Sequence, residues 1–351
     1  MAQGIVYITP VEIAPTADST WRDVDVSSYI ESGAVGVILQ RVNTGETDYR
    51  LQIRKNGSTD DPTPTYYGDL DSSAWDTQGI GVDGDGVFEA YVENSAIELY
   101  IVGYVPSGAG EFETNMIRLD SWAYGDDGFY DMDPGAQISG GTVGIAIGQL
   151  RSNVDAFSLF VRPNGSTDTL SYNYLENAGI HGYFIGVDED ELFEAEKDLN
   201  NWLWVFHIGC IYDSHAVGFT NRTEYATTST AWSDKDLSGE IPSGGGGAIC
   251  GPFHTSQAEF GLRKNGASDT HTSGKDYQTD VGWGWMGLDD SRILEIEAEL
   301  SYAPDFAIYG YTKDGGSSSN IKKLSGVAQA SLKEVIGVAS ASISKIAGVS
   351  N

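Results

Sequence analysis

The pattern Arg-x-Asn-Gly-x-x-Asp occurs three times: as Arg54, Asn56 and Asp60, as Arg162, Asn164 and Asp168, and as Arg263, Asn265 and Asp269. A guanidinium fork, an amide and a carboxylate held together could present a flat polar surface to a sugar or to a partner chain. The same residues also read as a turn. Asn-Gly accommodates positive φ, an Asp side chain caps a turn through backbone hydrogen bonds, and Arg pairs with a neighbouring acid. Recurrence in every copy favours the turn, because a ligand site is free to decay in some copies and a feature that maintains the fold is not. Asn56-Gly-Ser and Asn164-Gly-Ser also match glycosylation acceptors, but Asn265-Gly-Ala does not, so the turn is the common factor.

Each copy continues into a second shared block: Gly81-Val82-Asp83 to Phe88-Glu89-Ala90, Gly186-Val187-Asp188 to Phe193-Glu194-Ala195, and Gly287-Leu288-Asp289 to Leu294-Glu295-Ile296. Arg precedes the block's Gly by 27, 24 and 24 residues, and Trp21, Trp122 and Trp232 precede the three Arg by 33, 40 and 31. Two ordered blocks with kept spacing make this one unit present three times. At roughly a hundred residues the unit has the size of an independent domain; a solenoid or propeller repeat is far shorter. Within a copy, Asp23-Val-Asp-Val and Tyr49-Arg-Leu-Gln-Ile-Arg alternate like half-buried strands, while Gly36-Val-Ile-Leu-Gln-Arg-Val is a core-strand run. The expected fold is all-β: three tandem antiparallel β-sandwich, jelly-roll-like domains over 1–107, 108–214 and 215–315. A hinge and tail follow over 316–351.

Other chemistry is sparsely represented. The acids Asp83 and Asp85, Asp188 and Asp190, and Asp289 and Asp290 fall short of a calcium loop and read as acidic turns between strands. The five His form no equivalent set. Cys210 and Cys250 read as apolar strand fillers, without metal spacing. No nucleophile elbow, phosphate loop or dinucleotide fingerprint is present, so the expectation is no enzyme, no metal and no cofactor.

With 20 Lys and Arg against 51 Asp and Glu, the chain carries a net charge of −31. Such acidity repels phosphate backbones and disfavours nucleic acid as a partner. From residue 320 onward, however, four Lys face one Glu, and an 11-residue period appears. Its apolar stripe, Ile321, Leu324, Leu332, Val335, Ile343 and Ile346, follows the 3-4-4 spacing of a hendecad, which predicts a helical assembly tail. A Gly in every unit opposes a helix, and the β alternative needs a turn at each Gly. No signal peptide or membrane span is evident, although 44 Gly, 19 Tyr and 8 Trp suit an extracellular β-protein.

The series Thr20-Trp-Arg-Asp-Val-Asp-Val-Ser-Ser-Tyr, Gly33-Ala-Val-Gly-Val-Ile-Leu, Ile53-Arg-Lys-Asn-Gly-Ser-Thr-Asp and Gly81-Val-Asp with Phe-Glu-Ala-Tyr resembles repeat domains in structural proteins of phages and archaeal viruses. The Ser-Gly-Val-Ala-x-Ala-Ser tail is similar to C-terminal repeats on phage virion proteins. The first resemblance spans most of the body, and copies two and three depart from it in the strand after Trp. The resemblance implies a non-enzymatic virion protein, a decoration, fibre or tail-associated component, made in the host cytoplasm. Its tail would bind further copies or other virion proteins. The competing expectation is a carbohydrate-binding surface adhesin, exported by a non-classical route, that stacks host glycans on loop-tip aromatics. Exposure of Trp75, Trp283 or Trp285 would favour the adhesin, and their burial would favour a scaffold.

Overall fold

The computed structural model describes residues 4–60, 69–70, 75–119, 128–138, 141–152, 157–168, 173–175, 180–197, 203–226, 229–253, 258–267, 273–276, 284–298, 305–313, 323–324 and 327–328. The first unit contains β1 (Val6–Glu12), β2 (Trp21–Asp25), β3 (Gly36–Asn43), β4 (Tyr49–Lys55), β5 (Asp69–Leu70), β6 (Trp75–Gly81), β7 (Val87–Val92) and β8 (Ile97–Val105). Its sheets run β1-β8-β3-β6 and β2-β7-β4-β5. First pairs with last, second with seventh, third with sixth and fourth with fifth. That is a long hairpin rolled into two facing sheets, the jelly roll.

The second unit repeats this with β9 (Gly110–Arg118), β10 (Phe129–Met132), β11 (Val143–Ser152), β12 (Phe157–Pro163), β13 (Asn173–Leu175), β14 (Ile180–Gly186), β15 (Phe193–Lys197) and β16 (Leu203–Tyr212). The third uses β17 (Ala216–Ala226), β18 (Ser233–Asp236), β19 (Gly245–Phe253), β20 (Ala258–Lys264), β21 (Ser273–Asp276), β22 (Gly284–Gly287), β23 (Ile293–Ala298) and β24 (Asp305–Lys313). Their sheet orders, β9-β16-β11-β14 with β10-β15-β12-β13 and β17-β24-β19-β22 with β18-β23-β20-β21, match the first unit strand for strand. The chain is therefore three tandem jelly rolls joined by connections of a few residues.

Alternation explains the outer sheet of each roll. Along β7, Phe88, Ala90 and Val92 point into the sandwich and are buried, while Val87, Glu89 and Tyr91 point outward. The other sheet behaves differently. Every residue of β3 and β6 is buried, because one face covers the sandwich core and the other packs on neighbouring rolls. That double cover is why β3 reads as an apolar run. It also buries Arg41 and Asp76, directly opposed across β3 and β6, as a two-pronged ion pair inside the first roll. Cys210 and Cys250 are both buried free thiols, and burial pushes their pKa upward.

Most of the tail stripe, Ile321, Leu332, Val335, Ile343 and Ile346, lies outside the described residues. The four described tail residues are not helical. β25 (Lys323–Leu324) pairs antiparallel with β26 (Val327–Ala328), with Ser325 and Gly326 between them in sequence.

Candidate functional site

The three Arg hold one arrangement. Arg54 donates to both carboxylate oxygens of Glu89 at 2.8 and 3.0 Å and, through its remaining arm, to the Asp60 carbonyl at 2.6 Å. Arg162 binds Glu194 at 2.8 Å and the Asp168 carbonyl at 3.1 Å, and Arg263 binds Glu295 at 2.8 and 3.3 Å. An aromatic ring covers each guanidinium: Trp21 at 4.1 Å, Phe129 at 3.5 Å and Trp232 at 4.1 Å. The acids that sequence spacing assigns to strands are thus the Arg partners. The fork is consumed by Glu, backbone and ring, so it presents no free planar surface to a sugar.

The aromatic of the second copy is Phe129, where the sequence pattern points to Trp122; Trp122 lies outside the described residues. Phe129 precedes Arg162 by 33 residues, the same distance as from Trp21 to Arg54. The odd spacing of 40 for Trp122 was the available warning.

Next in the pattern, Asn56, Asn164 and Asn265 donate to the second carboxylate oxygens of Asp83, Asp188 and Asp289 at 2.6, 2.7 and 2.8 Å. The first oxygen of each Asp accepts two backbone N–H groups of its own turn, for example Asp85 and Val87 at 2.9 Å each. Burial alone would raise the Asp83 carboxyl. The donors from Val87, Asn56 and Asp85 outweigh it and hold the group below the usual range. Gly57, Gly165 and Gly266 sit at φ +80°, +72° and +73°, the left-handed region that Asn-Gly turns require. These loops are acidic turns.

The terminal Asp does something the sequence reading did not foresee. Asp60 does not cap its own turn through its carboxylate. Its Oδ2 accepts the Met116 N–H at 2.6 Å, from the first strand of the next roll. Beside it, Asn115 Oδ1 accepts the Thr59 N–H at 2.8 Å and the Ser58 hydroxyl at 3.1 Å. The second joint repeats the clasp: Arg222 N–H donates to Asp168 Oδ2 at 2.9 Å, and Thr167 N–H and the Ser166 hydroxyl donate to Asn221 Oδ1 at 2.9 and 3.1 Å. The motif therefore joins domains, and its partners Asn115 and Asn221 were missed. A signal existed, since Thr114-Asn115 and Thr220-Asn221 occupy equivalent places in β9 and β17.

Apolar contacts run in the same direction at each joint. Phe112 of β9 lies on Gly36 and Gly81 of the first roll, where a Cβ at Gly81 would stand 2.7 Å from Phe112 Cβ. At the second joint, the backbones of Gly218 and Gly186 touch, leaving no room for a side chain on either. Tyr7 of β1 lies on Gly247 and Gly287 of the third roll, and its hydroxyl is 3.1 Å from Thr312 Oγ1. The second roll thus leans on the first, the third on the second, and the first on the third. This is a closed head-to-tail ring, the geometry of a cyclic trimer, made within one chain.

The third joint differs in kind. Pro10 stands where Asn115 and Asn221 stand, and Ala267 where Ser58 and Ser166 stand. The irregular segment of β1 is also one residue shorter, running from Tyr7 to Val11 where β9 runs from Phe112 to Ile117 and β17 from Gly218 to Thr223. The residue that would answer Met116 and Arg222 is absent. Asp269 lies outside the described residues. Trp75 and Trp285 hold this joint: the Trp75 indole Nε1 donates to the Phe260 carbonyl at 3.1 Å, and the Trp285 backbone N–H donates to Thr77 Oγ1 at 2.9 Å.

At the centre, equivalent positions of β6, β14 and β22 carry residues of graded size. Gly79, Phe184 and Trp285 each pair across the strand with an isoleucine: Ile38, Ile147 and Ile249. Phe184 meets Trp285 edge-on at 4.9 Å, and a Cβ on Gly79 would stand 3.5 Å from the Phe184 ring. None, medium and large fill one shared volume. Trp75 and Trp285 are both buried, and Trp283 lies outside the described residues.

Among the described residues no group of three or more His, Cys, Asp or Glu is placed to hold a metal, and no helix is long and apolar enough to cross a membrane. His207 is the one fully buried histidine among the described residues. Burial lowers its pKa to about 4.

No protein-family model and no curated protein matches the chain. Among solved structures, it is similar to a chain in the atomic structure of Sulfolobus Turreted Icosahedral Virus, at 11% identity and a TM-score of 0.23, over 90% of this chain and 91% of that one. A chain from work on the triple jelly roll fold and turret assembly in an archaeal virus gives 8% identity and a TM-score of 0.21, over 89% and 91%. Paenibacillus xanthan lyase gives 11% and 0.15, over 82% of this chain and 34% of that one. At TM-scores this low the likenesses carry no weight for what the chain does. The jelly-roll assignment rests on the chain's own strand order.

Proposed function

We propose that the protein is a non-enzymatic structural component of a virus particle, a decoration, fibre or tail-associated protein, anchored or oligomerised through residues 316–351. The observation that carries this reading is ring closure. The motif residues and the large indoles are taken up in joining the three rolls, as a rigid building block requires. The sequence resemblance to phage and archaeal-virus repeat domains points the same way. The adhesin alternative loses two of its three named rings, since Trp75 and Trp285 are buried in a joint.

The ring also constrains how the block assembles. Each roll uses its first strand and its glycine-lined receiving face internally, so that surface is not available to a second copy. Assembly falls to the tail, whose four Lys and one Glu complement a body with 16 Lys and Arg against 50 acids. The partners are further copies or other virion proteins, with the virion as the location. Light scattering behind size-exclusion chromatography, on the full chain and on residues 1–315, tests this. The full chain should self-associate or capture a virion partner, and residues 1–315 should be monomeric and inert. Equal behaviour of both would overturn the proposal.

A further inference from the structure

The three Asn-Gly turns look alike but are not held alike, and the difference has a chemical consequence. At Asn-Gly, the Gly nitrogen can attack the Asn side-chain carbonyl. The Gly N–Asn Cγ bond forms, the Cγ–Nδ2 bond breaks, and the Gly proton leaves with that nitrogen as ammonia. Water then opens the cyclic imide at either carbonyl, giving Asp or isoaspartate. Glycine favours the attack because no side chain shields its nitrogen. In all three turns the space around the Gly is open, with no heavy atom within 4 Å of where a Cβ would stand. What resists the attack is any bond that keeps the peptide from swinging toward the side chain.

In the first two turns such bonds exist. Ser58 and Ser166 are buried, their hydroxyls bind Asn115 and Asn221, and they also accept the N–H groups of Asp60 and Asp168 at 3.0 and 3.1 Å. Thr59 and Thr167 are tied to the same Asn residues. In the third turn Ala267 is half-buried and has no hydroxyl, and Pro10 replaces the Asn of the neighbouring roll. The bond from the Ala267 N–H to the Lys264 carbonyl at 3.0 Å and the Asn265 amide bond to Asp289 at 2.8 Å are shared with the other two turns, and residues 268 and 269 lie outside the described residues.

We infer that Asn265 is a spontaneous deamidation site, selected from three sequence-equivalent Asn-Gly pairs by the loss of the Ser hydroxyl and of the neighbouring roll's Asn. The product places a carboxylate against Asp289 Oδ2, where the Asn265 amide now donates at 2.8 Å. A donor is thereby replaced by a like charge. Asp289 follows Gly287, on which Tyr7 packs, so the damage falls on the joint that closes the ring. The chemistry marks age at one joint of three.

The test uses the full chain. Folded protein is aged at mildly alkaline pH and peptide-mapped by mass spectrometry, with Asp and isoaspartate products separated by chromatography. A denatured control gives the intrinsic rates. Releasing one neutral hydrogen bond is worth roughly five-fold in rate, so Asn265 should convert at least roughly five-fold faster than Asn56 and Asn164 when folded, and all three should converge when denatured. Asn115→Ala should raise the rate at Asn56 and leave Asn164 unchanged. Equal rates at the three sites in the folded wild type, or protection of Asn265 where the denatured control reacts, would overturn the inference whether or not the variant folds.

Discussion

The graded triad at the ring centre makes a quantitative prediction, because its three positions are equivalent by register and share one volume. Consider moving the bulk from the third roll to the first with Trp285→Gly and Gly79→Trp. Trp285 is fully buried, packing edge-on against Phe184 at 4.9 Å and Tyr7 at 6.4 Å. Removing a buried indole costs about 3–5 kcal/mol, and each of the two edge contacts adds about 1 kcal/mol, so Trp285→Gly alone should lose about 5–7 kcal/mol. Gly79→Trp alone overpacks: a Cβ there already stands 3.1 Å from Ile147 Cγ2, which sets a cost of at least about 3 kcal/mol. Together the substitutions conserve volume. The pair should recover at least about 3 kcal/mol relative to the sum of the singles. Denaturant unfolding of the full chain, followed by circular dichroism, supplies the four free energies of the cycle. Additivity within about 0.5 kcal/mol would mean that the two positions do not fill a common space, and the pseudo-threefold ring would be refuted.

Two further predictions concern buried charge. His207 is held neutral, with its pKa lowered by burial to about 4 from an ordinary value of 6.5. The unfolded chain therefore takes up a proton near pH 6.5 that the folded chain refuses until about 4, and stability is lost as pH falls through that window, by about 2 kcal/mol at pH 5. His207→Leu should lose that much less between pH 7 and pH 5 than wild type in chemical denaturation, and an identical loss would exclude His207 as the source. Asp76→Ala strands Arg41 in the first roll and should cost about 3–5 kcal/mol, whereas Arg41→Met with Asp76→Leu should be close to neutral; thermal melts that rank the double below the single would contradict this.

The sandwich architecture was legible because its signals are local. Alternation along Val87–Val92, the Asn-Gly turns and the kept spacing of two blocks each involve residues within one roll. The acidic turn at Asp83 and the pairing of Arg54 with an acid follow from turn chemistry alone. The ring was not legible. Its defining contacts join Tyr7 to Thr312, Thr77 to Trp285 and Trp75 to Phe260, across separations of 305, 208 and 185 residues. No periodicity distinguishes an indole buried in its own roll from one buried in another. Gly79 reads like any strand glycine until the Phe184 ring is placed beside it. The Asp of the repeated pattern misleads for a related reason: Asp60 bonds outward to β9, and a turn motif read in isolation has no outside.

The unequal joints follow from how the chain connects them. Between the first and second rolls, and the second and third, linkers of a few residues keep the partners close, so docking is nearly intramolecular and a polar clasp is enough to fix orientation. Such bonds add only about 1 kcal/mol each, but their directionality selects one geometry. The closing joint has no linker. From the unfolded chain, bringing β1 to the third roll closes a loop of some three hundred residues, which costs about 3–4 kcal/mol more than closing one of five by the logarithmic scaling of loop entropy. Hydrogen bonds of the clasp type would not offset that. Burial of Trp285 and Trp75, at about 2–3 kcal/mol per large side chain, together with the partly buried Tyr7, does. The seam therefore carries Trp75 and Trp285 where the other joints carry clasps of Ser, Thr and Asn beside contacts such as Phe112 on Gly36 and Gly81. Strict threefold repetition of the clasp would have placed the weakest chemistry at the joint with the greatest entropic cost. Pro10, Ala267 and the shortened β1 are the sequence changes that gave it up.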